Sequence, residues 1–459
     1  MNIPIVGRIV IVAGVAFLVL LPIALIQGKI HERRARADTV ENQFAAETSG
    51  PQMLAGPLLA LTCEETYVEE RQVMRGGKAE TVAERKTMPC PTAYFAPRLL
   101  RVAGHVPVET RHRGIYKIRV FRAALDVNGE IEWPREAFWN GLNPRVWKHA
   151  YLVTAVRDAR GLKQAESSLA AVMRDGQGLG LESQYAIKED LGEYKSRAAG
   201  STLAFGYKLQ LLGTSRLEIA PVGDTSEIRI TSNWPHPSFS GGWMPDERDV
   251  TRQGFTATWR TSHLATGGQA VWEKQAREGR LTDPARSAGV TLYDPVNVYS
   301  LSYRATEYAF LFVLFTFAAI ALTEVVAGVR LHPIQYALVG MALAVFFLLL
   351  IALAEHIAFD LAYLAGAAPC LALIVFYLRH PLGTALRAAV FGAMLAGLYG
   401  VLFVLLKSED HALLMGSLMV FGVLALAMIA TRRLDWTRVG AVLQGVKRPA
   451  DSPTPDVVA

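Results

Sequence analysis

A charge-poor quarter of the chain decides what class of molecule it can be. Of the 47 Lys+Arg and 41 Asp+Glu in the 459 residues, only ten lie between Glu307 and Thr431. That stretch divides into five apolar runs, at about 308–329, 334–354, 357–378, 386–406 and 412–431. Each is close to the twenty or so residues that a helix needs to cross a hydrocarbon core of roughly 30 Å. A sixth run, 9–26, carries no charge and lies near the amino end. A mean hydropathy of +0.24 agrees with a chain partly in lipid. The same composition, with 38 Gly, 22 Pro and 3 Cys, excludes collagen, low-complexity disorder and a disulfide-dense miniprotein.

The first run could be a signal peptide, since Ala35 and Ala37 form an A-x-A pattern. Lys29, Glu32, Arg33, Arg34 and Arg36 stand between that pattern and the apolar run, so we expect an uncleaved anchor. Six spans put both ends on one side. With the amino end inside, Arg8, Arg330, Arg379, Arg387, Arg432, Arg433, Arg438, Lys447 and Arg448 fall on the cytoplasmic face, as the bias of short loops toward Lys and Arg requires. Lys29, Arg33, Arg34 and Arg36 argue the other way, but long domains translocate largely regardless of charge. The large loop is therefore expected outside the cytoplasm. The net charge of +6 is of the size this loop bias produces and gives no reason to expect nucleic acid.

Past the first span, Ile30, Ala37, Val40 and Phe44 recur at helical spacing, and Gly50-Pro51 and Gly56-Pro57 are expected to end that helix. The period then changes. Residues 114–120 alternate as a strand does, and further strands are predicted at 58–63, 124–127, 150–156, 204–211, 227–230 and 255–259. Asn128-Gly129 reads as a turn between two of them. The polar stretch 161–180 has no assignable period. We expect a membrane protein with a 1+5 helical bundle and a large, mainly antiparallel β (α+β) periplasmic domain. Its divisions are an anchor at 1–28, a juxtamembrane helix and linker at 29–57, the β-rich domain at 58–303, the five-helix bundle at 304–431 and a partly disordered cytoplasmic tail at 432–459.

Few residues suggest chemistry. Cys63 and Cys90 both fall in the large loop and are candidates for a disulfide, whose closed loop of about 27 residues would be worth roughly 3 to 4 kcal/mol; two small buried side chains are the alternative. Glu355, His356 and Asp360, with Glu409, Asp410 and His411, are expected on one surface, where imidazoles and carboxylates could hold a divalent metal or relay protons. Span ends reach water easily, and that plainer reading is preferred. Gly392, Ala396 and Gly400 share a face of the run at 386–406, the fifth of the six, at four-residue spacing and are expected to admit a neighbouring helix. The strip with Trp234, His236 and Trp243 is either a partner surface or a loop packed on its own domain. No P-loop, GxSxG, HExxH or CxxC is present, and Gly176, Gly178 and Gly180 are spaced too irregularly for a dinucleotide site. We expect no cofactor and no catalysis.

The chain resembles the family of inner membrane protein CreD. The resemblance rests on RGIY at 113–116, DARG at 158–161, SNWPHPSFSGGWMPDER at 232–248, GFTATWRTSHLA at 254–265, YDPVNVY at 293–299, HPIQY at 332–336, EHI at 355–357 and LDW at 434–436. Ala354, Glu307 and Thr437 depart from the family's pattern, and Cys63 and Cys90 lie outside it. The resemblance implies a Gram-negative inner membrane protein with one amino-terminal span, a periplasmic domain and a carboxy-terminal bundle. It also implies a place in an envelope-stress regulon, with effects on colicin tolerance and β-lactam susceptibility, but no reaction. The expected partners are membrane lipid and an envelope protein or cell-wall component; a transporter or lipid-handling role for the bundle is the alternative. Oligomeric state stays open.

Overall fold

A computed structural model describes residues 5–75, 78–135, 144–166, 171–173, 185–292, 298–327, 329, 331–408 and 412–432. They form two compact units, one made of residues 38–295 and the other of 1–37 with 296–459. One helix, α1 (Ile5–Glu47), contributes to both.

The central unit holds two sheets of eight strands each among the described residues. The first runs in the order β13 (Pro237–Gly241), β16 (Ala288–Leu292), β11 (Arg216–Ala220), β1 (Gln52–Arg75), β6 (Arg145–Val156), β9 (Tyr185–Glu193) and β8 (Ala171–Met173), with β2 (Lys78–Phe95) also on β1. The second runs β14 (Glu247–Thr251), β15 (Gly254–Ser262), β12 (Thr225–Ser232), β3 (Leu99–His105), β5 (Tyr116–Glu132), β10 (Thr202–Thr214) and β7 (Leu162–Glu166), with β4 (Val108–Arg113) on β5. Each sheet has one parallel pair at its centre, β1 with β11 and β3 with β12; the other pairings are antiparallel. Alternation explains the layers. Along β5, Phe121, Ala123, Leu125, Val127 and Ile131 turn inward while Arg122 and Ala124 face out. The inward rows of both sheets meet in one apolar core that includes Leu59, Val153, Leu209, Ile228, Trp133 and Trp259. Two helices follow β15, α2 (His263–Thr266) and α3 (Gly268–Arg277).

Several expected boundaries are corrected. Gly50-Pro51 does follow the end of α1, but Gly56-Pro57 ends nothing: it lies inside β1, where the pairing with β6 shifts between Ala55 and Leu58 to absorb it. The strand therefore begins at Gln52 instead of Leu58. Gly114, at φ +62°, is the turn between β4 and β5, so the strand expected from 114 starts at Tyr116. Asn128-Gly129 is not a turn; it sits in the middle of β5, flanked by β3 and β10. Glycine is needed there for closeness, because a Cβ on Gly129 would lie 2.1 Å from the Leu99 carbonyl oxygen and 2.5 Å from the Phe205 ring. Within the unassigned stretch 161–180, the structure describes β7 and β8; Gly176, Gly178 and Gly180 lie outside the described residues.

The other unit is helical. After α1 come α4 (Val298–Glu307), α5 (Ala309–Ala327), α6 (Pro333–Ala354), α7 (Phe359–Leu382), α8 (Ala385–Lys407) and α9 (Ala412–Thr431). Among the described residues, four helices are long and apolar enough to cross a membrane: Val10–Glu47 of α1, α6, α7 and α8. A fifth is gained if α4 and α5, bent by 46° at Tyr308, count as one; α9 contributes the shorter apolar run Leu414–Ala425. Val19 and Ile23 of α1 join the buried faces of α5 to α8. At the centre, Tyr399 stands edge-on to Phe312 (4.7 Å between centroids) and Phe346 (4.9 Å), and the Tyr363 hydroxyl donates to the Tyr399 carbonyl at 2.7 Å. Such edge-to-face pairs add about 0.5–1.5 kcal/mol each beyond burial.

Candidate functional site

The densest polar arrangement in the β unit gathers where α1 ends. The segment 157–161 leaves β6 through a single 3-10 turn, and Asp158 caps that turn by accepting from the Arg160 backbone N–H at 3.0 Å. The same carboxylate accepts from Arg160 Nε at 2.9 Å and Nη2 at 2.6 Å, which turns the guanidinium so that Nη1 donates to the Ala46 carbonyl in the last turn of α1. Terminal helix carbonyls lack intrahelical partners, so an arginine is a suitable cap there. Arg113 holds the following residue with a two-pronged pair to Glu47, at 2.9 and 3.2 Å. One turn earlier the Ser215 hydroxyl donates to Glu41. Beneath them lies Gln52, fully buried, whose Nε2 donates to Ser49 Oγ (2.7 Å) and to the carbonyls of Asp158 (3.0 Å) and Leu212 (3.1 Å). Gly161 completes the packing, because a Cβ there would fall 2.1 Å from Gln52 Nε2 and 2.2 Å from the Leu212 carbonyl oxygen.

On the other side of the segment, Arg157 turns toward β11. Its Nη1 is 3.3 Å from Glu218 Oε2 and its Nη2 donates to the Thr282 carbonyl at 3.1 Å. Glu218 is wholly buried, also accepts from Ser287 Oγ at 3.2 Å, and has Arg216 at 3.7 Å. Five consecutive residues thus fasten β6 to the end of α1 on one side and to β11 on the other. The chemistry is that of a fastening: each carboxylate faces a guanidinium or a hydroxyl, and no nucleophile with an adjacent base is assembled in it.

The environment of Asp158 gives a testable pH dependence. Burial alone would raise its pKa, but the hydrogen bonds from Arg160 and the Gly50 N–H outweigh it and hold the carboxyl below its usual range. A depressed carboxylate stabilises the folded state above the unfolded-state value of about 4 and loses that contribution as pH falls through the lower folded value. Asp158→Asn is expected to lower stability by about 1.5 kcal/mol at pH 7. The gap in melting temperature between wild type and variant should close as the pH is taken from 6 toward 3; a constant gap would contradict this assignment.

The residues singled out in the sequence are differently placed. Glu355 Oε1 lies 3.5 Å from the Tyr299 hydroxyl and 3.7 Å from Arg33 Nε, while Asp360 accepts from Lys407 Nζ at 2.6 Å. Both carboxylates face cations, His356 is exposed, and no group of three metal-ligating side chains occurs among the described residues. Arg330, Glu409, Asp410 and His411 lie outside the described residues. On α8, a Cβ on Gly392 would meet Val375 of α7 at 2.7 Å, so this glycine admits a helix. Ala396 and Gly400 face outward instead; the buried face of α8 continues through Leu395, Tyr399 and Leu402. Trp234 and Trp243 are half-buried against the β core, with Arg119 5.8 Å over the Trp234 ring and the Trp234 indole donating to the His236 carbonyl. Cys63 and Cys90 are direct register partners on β1 and β2, their Cα atoms 5.4 Å apart, and the structure joins them as a disulfide.

Sequence reasoning did not find the junction. Its pairs join residues 66 and 114 positions apart, as Arg113 with Glu47 and Arg160 with Ala46, and no local pattern signals such a distance. The available signal was that RGIY and DARG, two words carrying the resemblance, each place an arginine here.

Comparison with known proteins gives a consistent result. The family described as inner membrane protein CreD matches residues 4–437. The inner membrane protein CreD of Escherichia coli (strain K12) is 34% identical over 436 residues, covering 92% of both chains. No solved structure matches.

Proposed function

Because the chain belongs to the inner membrane protein CreD family, we propose that it is an envelope-integrity protein that acts without catalysis, its β unit binding an envelope protein or cell-wall component on the periplasmic side. In this reading the chain crosses the inner membrane six times, with α4 and α5 counted as one bent span and α9 as the last, and both ends are cytoplasmic. The observation that carries it is the order of the chain: a β unit of residues 38–295 is bracketed by apolar helices before and after. The junction at 157–161 supports a holding role, since its buried polar groups secure a helix end and a strand. Envelope stress and colicin tolerance are the expected physiological setting.

Placement is tested by fusing a reporter active only in the cytosol at Gly200, in the turn before β10. It should be inactive there and active when fused after Arg432; activity at Gly200 would overturn the reading. Deletion of the gene should alter colicin sensitivity and detergent tolerance, and unchanged values for both would oppose the role. Crosslinking from residues 232–248 in living cells should capture the partner.

One observation favours the transporter alternative. The α4–α5 pair is broken at Tyr308, and in α4, six residues before the break, the Ser302 hydroxyl is buried with no hydrogen-bond partner among the described residues. Breaks of this kind at membrane depth accompany substrate paths in transporters. Solute uptake or lipid exchange by reconstituted protein, lost on Ser302→Ala, would establish that reading over the first.

A further inference from the structure

β1 and β2 form a hairpin arm that outgrows its sheet. The pairing of β1 with β6 ends at Glu65 opposite Arg145, and from Tyr67 to Arg75 the register of β1 continues with β2 alone. Among the described side chains of this extension, none is buried. Residues 68–73 and 81–89 are all exposed, including Val68 (57%), Val82 (43%) and Met88 (50%). A two-stranded ribbon without a core is marginal in water, and exposed ion pairs such as Lys86 with Glu69 add little. Something else must hold the arm in register.

The Cys63–Cys90 pair sits where the sheet narrows. Cys63 is bracketed in the ladder by Cys90 on one side and Trp147 of β6 on the other. It is therefore the last covalent point inside the three-stranded part, and every residue of the arm lies in the loop the pair closes. Cys90 belongs to β2, which pairs with no described strand other than β1, and is half-buried, so a thiol can reach it from the sheet edge. Four residues further in, the backbone is fixed by other means. Gln269 of α3 donates to the Tyr94 carbonyl, its Oε1 accepts from the Ala96 N–H at 2.6 Å, and the Tyr94 ring is buried.

We propose that the Cys63–Cys90 bond is a redox-sensitive clamp on the arm: oxidised, it keeps residues 64–89 in hairpin register; reduced, it lets the ribbon open as far as Tyr94, where Gln269 stops the peeling. The reductant is a dithiol. One thiolate attacks Cys90 Sγ, the S–S bond breaks and a mixed disulfide forms; the second thiol then displaces the Cys90 sulfur, leaving two protein thiols, each protonated, and the reductant as its own disulfide. The inference concerns the molecule itself and holds whichever side of the membrane the β unit occupies.

The test is amide hydrogen exchange on the full-length chain in detergent, before and after reduction by a dithiol and alkylation. Closing a loop of this length restricts the open state on the order of 100-fold. Exchange at residues 66–75 and 78–92 should accelerate by about that factor on reduction, while 52–61 and 93–105 stay unchanged. The Cys63→Ala/Cys90→Ala variant should reproduce the reduced pattern without reagent, and Gln269→Ala added to it should carry the loss through 93–96. Equal arm exchange in both redox states, spread of the loss into 52–61, or failure of the bond to form under oxidising conditions would each overturn the clamp. The separate question of compartment is read by the reporter fusions and does not move with these outcomes.

Discussion

Arg157→Met should destabilise the β unit by about 3–5 kcal/mol, because it leaves a buried carboxylate without its main counter-charge. Glu218 is 0% exposed, whereas Arg157 retains 28% of its side-chain surface, so the two halves of the pair are unequal. Removing the arginine strands a charge with only the Arg216 guanidinium at 3.7 Å and the Ser287 hydroxyl at 3.2 Å. Removing the carboxylate leaves a guanidinium that still reaches water and still donates to the Thr282 carbonyl. Glu218→Gln should therefore cost less than Arg157→Met, and the Arg157→Met/Glu218→Gln double variant should recover much of the loss. Chemical denaturation of the four proteins closes the cycle. Additive losses would mean that the pair is not coupled and that β6 and β11 are held only through β1, the strand between them.

Gly161→Ala should cost about 3 kcal/mol, an unusual price for one methyl group. The atoms it would meet cannot yield easily: the Leu212 carbonyl belongs to β10, and Gln52 Nε2 is committed to three acceptors. Relief would require the turn after Asp158 to move, which would withdraw Arg160 from the Ala46 carbonyl. Loss of protease resistance should thus begin near Glu47, before the sheets unfold. A variant with wild-type melting and wild-type cleavage would show that the turn has slack.

The parts of the fold legible in the sequence are those with a local cause. Apolar runs long enough for lipid gave α6, α7 and α8 to within a few residues, and alternation gave the cores of β1, β6, β10, β12 and β15. What failed was decided at a distance. Gly129 looks like a turn residue until β3 and Phe205 are known to press against it. Gly56-Pro57 looks like a terminator until a shift in pairing with β6 takes it up. Of Gly392, Ala396 and Gly400, only Gly392 packs within this chain, where Leu395, Tyr399 and Leu402 continue the buried face. The junction was illegible for the same reason, since contacts between residues 66 and 114 positions apart leave no periodic trace.

The parallel pairs at the sheet centres carry a consequence for biosynthesis. Gln52 must wait for Leu217 and Leu99 for Thr225. At about 5–20 residues per second the intervening chain takes on the order of 10–30 s to emerge, and meanwhile β1 and β3 each lack the neighbour that completes the middle of their sheet. Newborn copies therefore pass through a period of open edges and high contact order, the condition in which strands find wrong partners. Demand for a holding chaperone during synthesis should be set by this interval, and shortening the stretch between β3 and β12 would relieve it more than any gain in final stability.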